Sequence, residues 1–354
     1  MMKLREFQEE LRRRHINAAL FLNSEQKQDL AIEYFAQTHI DYGALVVPAR
    51  DTPFLLIPGF EYARIKHIAP IAVKEAKRRL LEDVRTHLGK ITTIGVNEEL
   101  LSLQEAKAVR ATLKARLVPV AAIANELRLT KTDKEIIHIR KACAIGCEII
   151  NECIDRFGRF KTEKDVEVFL RKRTIDAGCT LSFPPIVASG PHAAFPHHLP
   201  GSKLCKGTVV LDFGVRLHGY CSDMTRTIAY GTPNNREREA YELLRDVQEW
   251  AVRRVKPGIN FQKLQDDVSA RLGPYKKYFI HRLGHSVGLH VHDVMTRAMI
   301  KKSVLREGMV WTVEPGIYVP GKFGMRIEDT VVVTEAGYEV LTARTPKEFI
   351  TIRA

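Results

Sequence analysis

The chain has no apolar run long enough to cross a bilayer. A membrane helix needs about 18 consecutive apolar residues. The longest stretch here, Leu117 to Ala124, contains Pro119 and reaches only about half that length. The first residues, Met1-Met-Lys-Leu-Arg-Glu6, lack the apolar centre of a secretory signal, so a soluble, cytoplasmic protein is expected, with no membrane partner. Cysteine is sparse: six among 354 residues, at 143, 147, 153, 179, 205 and 221. None is spaced Cys-x-x-Cys, which excludes a zinc ribbon, a redox motif and a disulfide scaffold. Helix-turn-helix, zinc-finger and single-strand-binding patterns are missing too. The net charge of +13 is therefore not by itself a nucleic-acid signature. Runs such as Lys77-Arg-Arg79 and Arg171-Lys-Arg173 read as solvated helix faces.

What is present is an ordinary globular balance, 45% apolar and 27% charged, at a length that suggests about two domains. The first part alternates helix and strand. Leu4, Phe7 and Leu11 share a helix face, Ile16 to Leu22 reads as a strand, and Tyr42 to Pro48 with Pro53 to Pro58 read as a hairpin. Strands are expected at Ile68 to Val73, Thr93 to Val96 and Leu117 to Val120, with helices ending near Leu88 and spanning Gln104 to Lys114. We place an α/β domain at 1–125 and a second domain at 126–354. In the second, capping boxes at Thr132-x-x-Glu135 and Thr162-x-x-Asp165 open helices. Amphipathic stretches follow at Glu237 to Val252 and Phe261 to Leu272. Strands rich in Val, Ile and Gly fill the rest, giving an α+β class with a largely antiparallel sheet.

Acids sit in these strands, where an uncompensated charge is costly. Asp212 ends Val209-Val-Leu-Asp212, and Asp223 follows eleven residues later; a hairpin with its midpoint at 217.5, beside Gly219, would oppose them at about 5 Å. Glu314 and Glu328 share a midpoint at Gly321. Four carboxylates held together require cations, and two divalent ions balance them. Oxygen-rich ligation with one imidazole suits Mn2+, with Co2+ or Zn2+ able to substitute. His285 and His292 are seven residues apart, about 23 Å in a straight strand. On spacing alone one of them is a ligand, and the other either meets substrate after a bend or is structural.

The blocks Leu211-Asp212-Phe-Gly214, Tyr220-Cys-Ser-Asp223-Met-Thr-Arg-Thr227, Gly284-His285-Ser-Val-Gly288-Leu-His-Val-His292, Val313-Glu314-Pro-Gly-Ile-Tyr318 and Gly324-Met-Arg326-Ile-Glu328-Asp329 resemble the signature motifs of the pita-bread metallopeptidases. That group includes methionine aminopeptidase, aminopeptidase P and prolidase. The resemblance implies a C-terminal pita-bread fold behind a smaller N-terminal α/β creatinase-like domain.

Carried over residue by residue, it implies Asp212, Asp223, His285, Glu314 and Glu328 as ligands of two divalent ions. Asp223 and Glu328 would bridge, and Glu314 would double as general base beside a shared hydroxide. It implies His292 as a substrate-contacting histidine, Arg326 as a holder of ion pairs near the metals, and His197, after Pro196, as a histidine facing the substrate. His198 stands beside it as a second candidate. Tyr220, Tyr318, Phe195 and Trp311 read as core or cleft wall. The sequence departs from the family at Ser286 (usually Gly), His290 (usually acidic), Asp293-Val-Met295 (usually Glu, then Pro) and His192 (often Asn).

The implied activity is hydrolysis of Xaa-Pro bonds as an Xaa-Pro aminopeptidase, on peptides with proline second, by a homodimer. Alternatives are an Xaa-Pro dipeptidase, a metal-free creatinase-like hydrolase, and a non-catalytic binding module that binds RNA.

Overall fold

In this computed structural model, which describes residues 2–294 and 304–353, the chain divides into two compact units, Met1–Arg128 and Leu129–Ala354.

The first unit is a six-stranded sheet in the order β4-β3-β2-β1-β5-β6. Its strands are β1 (Ala18–Asn23), β2 (Gly43–Pro48), β3 (Phe54–Pro58), β4 (Ala72–Ala76), β5 (Thr93–Val96) and β6 (Arg116–Pro119). The helices are α1 (Met2–Arg13), α2 (Leu30–Ala36), α3 (Gly59–Ile68), α4 (Leu80–Leu88), α5 (Leu103–Leu113) and α6 (Ala121–Leu129), the last running one residue past the division. β2 and β3 form the expected hairpin, Val46 opposite Phe54. The strand expected at Ile68 to Val73 is displaced. α3 continues through Ile68, where the Ala69 N–H caps the Ile65 carbonyl, and Pro70 then bars helix and forces extension, so β4 begins only at Ala72.

In the second unit both expected capping boxes open helices, α7 (Asp133–Asp155) on Thr132/Glu135 and α8 (Glu163–Asp176) on Thr162/Asp165. The buried face of α7, Ile139, Cys143, Cys147, Ile150 and Ile154, follows the helical period. α9 (Asn235–Val252) and α10 (Phe261–Arg271) are the remaining α-helices among the described residues. The strands are β7 (Thr180–Leu181), β8 (Ile186–Ser189), β9 (Gly207–Phe213), β10 (Val215–Leu217), β11 (Tyr220–Cys221), β12 (Met224–Tyr230), β13 (Val310–Val313), β14 (Gly316–Val319), β15 (Phe323–Arg326), β16 (Asp329–Val333), β17 (Tyr338–Val340) and β18 (Thr351–Ile352). They pair as β18-β12-β9-β8, β11-β10-β7, β13-β16-β17 and β14-β15, antiparallel except for β12 with β18. Short bridges join the sheets where the acids lie, Thr225 with Glu328 and Ser286 with Trp311.

One hairpin register differs from expectation. Asp212 faces Thr225, not Asp223, because the turn is centred on His218 and Gly219. Both residues carry positive φ, +50° and +85°, the pattern of a two-residue turn that follows strand twist. Moving the midpoint by one residue shifts the register by two. The aspartates thus stay on one face but as diagonal neighbours.

Candidate metal centre

The second acidic hairpin has its expected midpoint. Gly316 faces Arg326 in β14–β15, and Val313 faces Asp329 in β13–β16; both ladders have the register that opposes Glu314 and Glu328. Strand β9 supplies Asp212, and the segment entering β12 supplies Asp223. His285 comes from a loop held by Thr312: the His285 N–H donates to Thr312 Oγ1, and the Thr312 N–H donates to the His285 carbonyl.

These side chains converge. His285 Nε2 lies 3.4 Å from Asp223 Oδ2 and 3.3 Å from Glu314 Oε1. Donor atoms of Asp223, His285 and Glu328 all fall within 4.8 Å of one another. A long 3.4 Å contact pairs His285 Nδ1 with the Ser286 carbonyl. That favours the tautomer with its lone pair on Nε2, the arrangement of an imidazole ligand. Glu328 Oε2 accepts from Thr225 Oγ1, and Glu314 Oε1 accepts from Thr312 Oγ1. The centre is most open at Glu314 and Asp212, whose side chains are 16% and 12% accessible against 1% for Glu328 as a residue.

Three carboxylate oxygens, Asp212 Oδ1, Asp223 Oδ1 and Glu328 Oε1, are buried and find no hydrogen-bond donor among the described residues. In the protein alone, burial and then mutual repulsion push Asp223 and Glu328 well above the ordinary carboxylate range. Burial also raises Asp212, against the pull of Arg326. Orphaned acids aimed at one another, with an imidazole lone pair among them, are the donor set of a divalent cation site, and the residues present fit such ions.

Around this set runs a hydrogen-bond chain. Arg326, buried, donates through Nη2 to Asp212 Oδ2 at 2.6 Å, through Nε to Thr225 Oγ1, and through Nη1 to Tyr318 Oη at 2.6 Å. Tyr318 Oη is 2.9 Å from His281 Nε2, and His281 Nδ1 is 2.7 Å from the Arg282 carbonyl. The tyrosine therefore donates to His281, whose proton sits on Nδ1. Burial holds the His281 imidazole below its usual range.

Residues 137–335 match the metallopeptidase family M24, and residues 3–130 match the Creatinase/Prolidase N-terminal domain. The chain belongs to metallopeptidase family M24. It is 34% identical, over 90% of its length and 92% of the relative's, to the Xaa-Pro dipeptidase of Pyrococcus furiosus. The crystal structure of the Pyrococcus horikoshii prolidase superposes with a TM-score of 0.90 at 30% identity, covering 99% of this chain and 100% of that one. The X-Pro aminopeptidase of Thermotoga maritima gives 0.88 at 28%, covering 96% and 99%. The second unit is accordingly a pita-bread fold and the first the smaller α/β creatinase-like domain, as the motifs implied. As an M24 metallopeptidase the protein is a metal-dependent hydrolase, which sets aside the metal-free and binding-module readings.

The sequence motifs bring Asp212, Asp223, His285, Glu314, Glu328 and Arg326 together. His292 joins them. Its ring centroid is 4.1 Å from that of His285, because the chain between them folds back, with the Asp293 N–H on the Ser286 carbonyl and the Gly288 N–H on the His290 carbonyl. The straight-strand separation of about 23 Å does not apply. Desolvation, then the neighbouring His285, pushes His292 down to about 4. His197 is exposed. His198 turns away to Glu163, at 2.7 Å. Met295, one of the family departures, lies outside the described residues.

Two residues of the chain escaped the sequence reading. His281 stands four residues before His285, a spacing that could have marked it. Tyr318 read as wall because nothing in its apolar strand reveals that its hydroxyl meets a buried guanidinium.

Proposed function

We propose that this M24 peptidase is an Xaa-Pro dipeptidase that works with two divalent ions. The supporting observation is the likeness to Xaa-Pro dipeptidases across nearly the whole of both chains, joined to three orphaned carboxylate oxygens, on Asp212, Asp223 and Glu328, with the His285 imidazole beside Asp223 and Glu328. The aminopeptidase reading expected from the motifs has weaker support, since the Xaa-Pro dipeptidase of Pyrococcus furiosus is the more similar in sequence.

Asp212, Asp223, His285, Glu314 and Glu328 would hold the ions, with Mn2+ favoured and Co2+ or Zn2+ able to substitute. When bound, such ions lower the pKa of water to make a nucleophile at neutral pH and polarise the scissile carbonyl. The remaining work belongs to the protein. Glu314, on the open side, takes the proton of the attacking water at a carboxylate oxygen and delivers it to the leaving proline nitrogen. His292, largely neutral at pH 7, and His197 donate hydrogen bonds toward the oxygen on which charge develops. Arg326 holds Asp212 in place and leaves Asp212 Oδ1 free for an ion. A homodimer in the cytoplasm is part of the reading, supported by six free thiols for the compartment and by family resemblance for the dimer.

The test is a side-by-side rate measurement on an Xaa-Pro dipeptide and an Xaa-Pro-Yaa tripeptide, with Mn2+, Co2+ or Zn2+ returned to metal-stripped protein. Cleavage of the dipeptide at the higher kcat/KM is expected. A clear tripeptide preference would make the protein an aminopeptidase, and no cleavage of either with any ion would reject both.

A further inference from the structure

A second cluster of titratable side chains lies in the same unit. Glu163, the first residue of α8, has a fully buried side chain. Its Oε1 accepts from the Ser189 N–H (2.8 Å), Ser189 Oγ (2.7 Å) and His192 Nδ1 (3.0 Å). Its Oε2 accepts from His198 Nε2 (2.7 Å) and the Gly201 N–H (2.8 Å). The segment from Ser189 to Gly201 is thus tied at both ends and twice in its middle to one carboxylate. Burial alone would raise that carboxyl, but the hydrogen bonds outweigh it and hold Glu163 below its usual range.

Glu163, His192 and His198 have donor atoms within 4.8 Å of one another, so an ion is the competing occupant. The hydrogen bonds argue against it. A carboxylate offers about four lone-pair sites, and five donors already share them. Two of those are backbone N–H groups that cannot turn away. The two imidazoles are themselves stacked, with centroids 4.5 Å apart, and each points a nitrogen at the glutamate.

What this arrangement determines is where His197 goes. His198 is drawn inward onto Glu163, while His197, the residue before it, is left exposed. The same segment is seated from below on β15. A Cβ at Gly324 would come 1.7 Å from the Ala193 carbonyl oxygen, and Arg326 is two residues along that strand.

We infer that Glu163 is a positioning residue for peptide hydrolysis, fixing the 189–201 segment so that His197 is presented to the substrate. This rests on the reading above that His197 serves the reaction.

The test uses the metal-loaded protein on an Xaa-Pro dipeptide, comparing wild type, Glu163→Gln, His197→Ala and the double variant. Gln is isosteric, but its NH2 must face N–H donors on one side, which loosens the segment. We expect His197→Ala to lower kcat/KM about a hundredfold. Glu163→Gln should lower it about tenfold or more, chiefly in kcat. In the His197→Ala background the same change should cost less than about twofold, because it acts through a side chain already removed. An equal fold-loss in both backgrounds, or full activity of Glu163→Gln, overturns the inference. Full activity of His197→Ala alone overturns the reading beneath it. Should Glu163→Gln not fold, His198→Ala, which cuts one tie at a partly exposed residue, is measured in the same two backgrounds with the same pattern expected. Metal analysis after Zn2+ loading should give two ions per chain in wild type and in His198→Ala. A third ion that disappears with His198 would replace positioning by metal binding.

Discussion

Glu314 and Glu328 are held opposite one another by strand pairs on both sides, Gly316 with Arg326 beyond them and Val313 with Asp329 behind. The ladders fix the backbone under each acid, so neither can retreat from its partner. With Asp212 and Asp223 beside them, Arg326 is the one cation that hydrogen-bonds into the set among the described residues. Repulsion is therefore built in and is relieved by bound ions.

Metal should accordingly act as a folding ligand. An ion at a hundred times its Kd stabilises by about 2.7 kcal/mol. Unfolding temperature moves about 2–4 °C per kcal/mol in a unit of roughly 150–250 residues. A rise of about 5–10 °C on adding Mn2+ or Co2+ to stripped protein is expected in a thermal melt. Glu328→Gln should behave oppositely in the two states. Its amide keeps an acceptor for Thr225 and turns a donor toward the other acids, so the stripped variant should melt higher than stripped wild type while its response to metal is lost. A stripped variant that melts several degrees lower would contradict the account of repulsion.

Much of this centre was legible in the chain. The index sum of Glu314 and Glu328 gave the hairpin register directly, because Gly321 (φ +68°) allows the three-residue connection on which the arithmetic relied. The other hairpin was misplaced by one residue. Gly219 suggested the turn, but the partner with positive φ is His218, a residue type whose sequence does not announce that backbone state. The closeness of His292 to His285 was invisible to spacing alone, since it depends on backbone hydrogen bonds within the loop. Glu163 drew no notice in the sequence, where only Thr162 and Asp165 marked the helix start. Its role depends on donors 26 to 38 residues away, and no local pattern encodes such distances.

Tyr318 links Arg326 to His281, so removing its hydroxyl leaves the buried Arg326 and the half-buried His281 short of a partner. Tyr318→Phe keeps the ring and its packing. An unsatisfied buried donor costs about 1–3 kcal/mol, so the melting temperature should fall by a few degrees. The larger effect should be on kcat, about tenfold or more, as Arg326 loosens its hold on Asp212. Stopped assays with metal-loaded protein would show it. Unchanged kcat with a lowered melting temperature would confine Tyr318 to a structural role.

Gly324 sits where β15 meets the 190–194 turn, and any side chain there collides with the Ala193 carbonyl at 1.7 Å and the Ala194 nitrogen at 2.8 Å. Both obstacles are backbone, so the turn must shift. Gly324→Ala should leave the metal content intact while lowering kcat/KM about a hundredfold, since displacement of about 1 Å near a reacting group costs that much. Metal content by elemental analysis and steady-state rates, measured on one preparation, test the separation. Loss of metal together with activity would show that β15 itself had moved.

Behind the histidine loop lies an ion pair almost closed to solvent. Lys131 Nζ is 3.4 Å from Asp293 Oδ2, with side chains 1% and 2% accessible, and donates to Ser286 Oγ and the Leu129 carbonyl. Asp293 accepts the His290 N–H and packs so tightly on Gly288 that a Cβ there would lie 2.4 Å from Oδ2. The pair thus clamps both flanks of the turn that brings His292 to His285. Removing one partner of a buried pair strands the other charge, at about 3–5 kcal/mol. Lys131→Met should therefore lower the melting temperature by roughly 6–20 °C at about 2–4 °C per kcal/mol. The double variant Lys131→Met/Asp293→Leu, which leaves no charge stranded, should recover much of that stability, as buried pairs replaced by apolar residues often do. It should not recover activity, because the leucine cannot accept the His290 N–H and the loop loses the contact that sets His292. Stability and kcat/KM would then part company across the cycle; if they recover together, packing alone orders the loop and the ion pair does not.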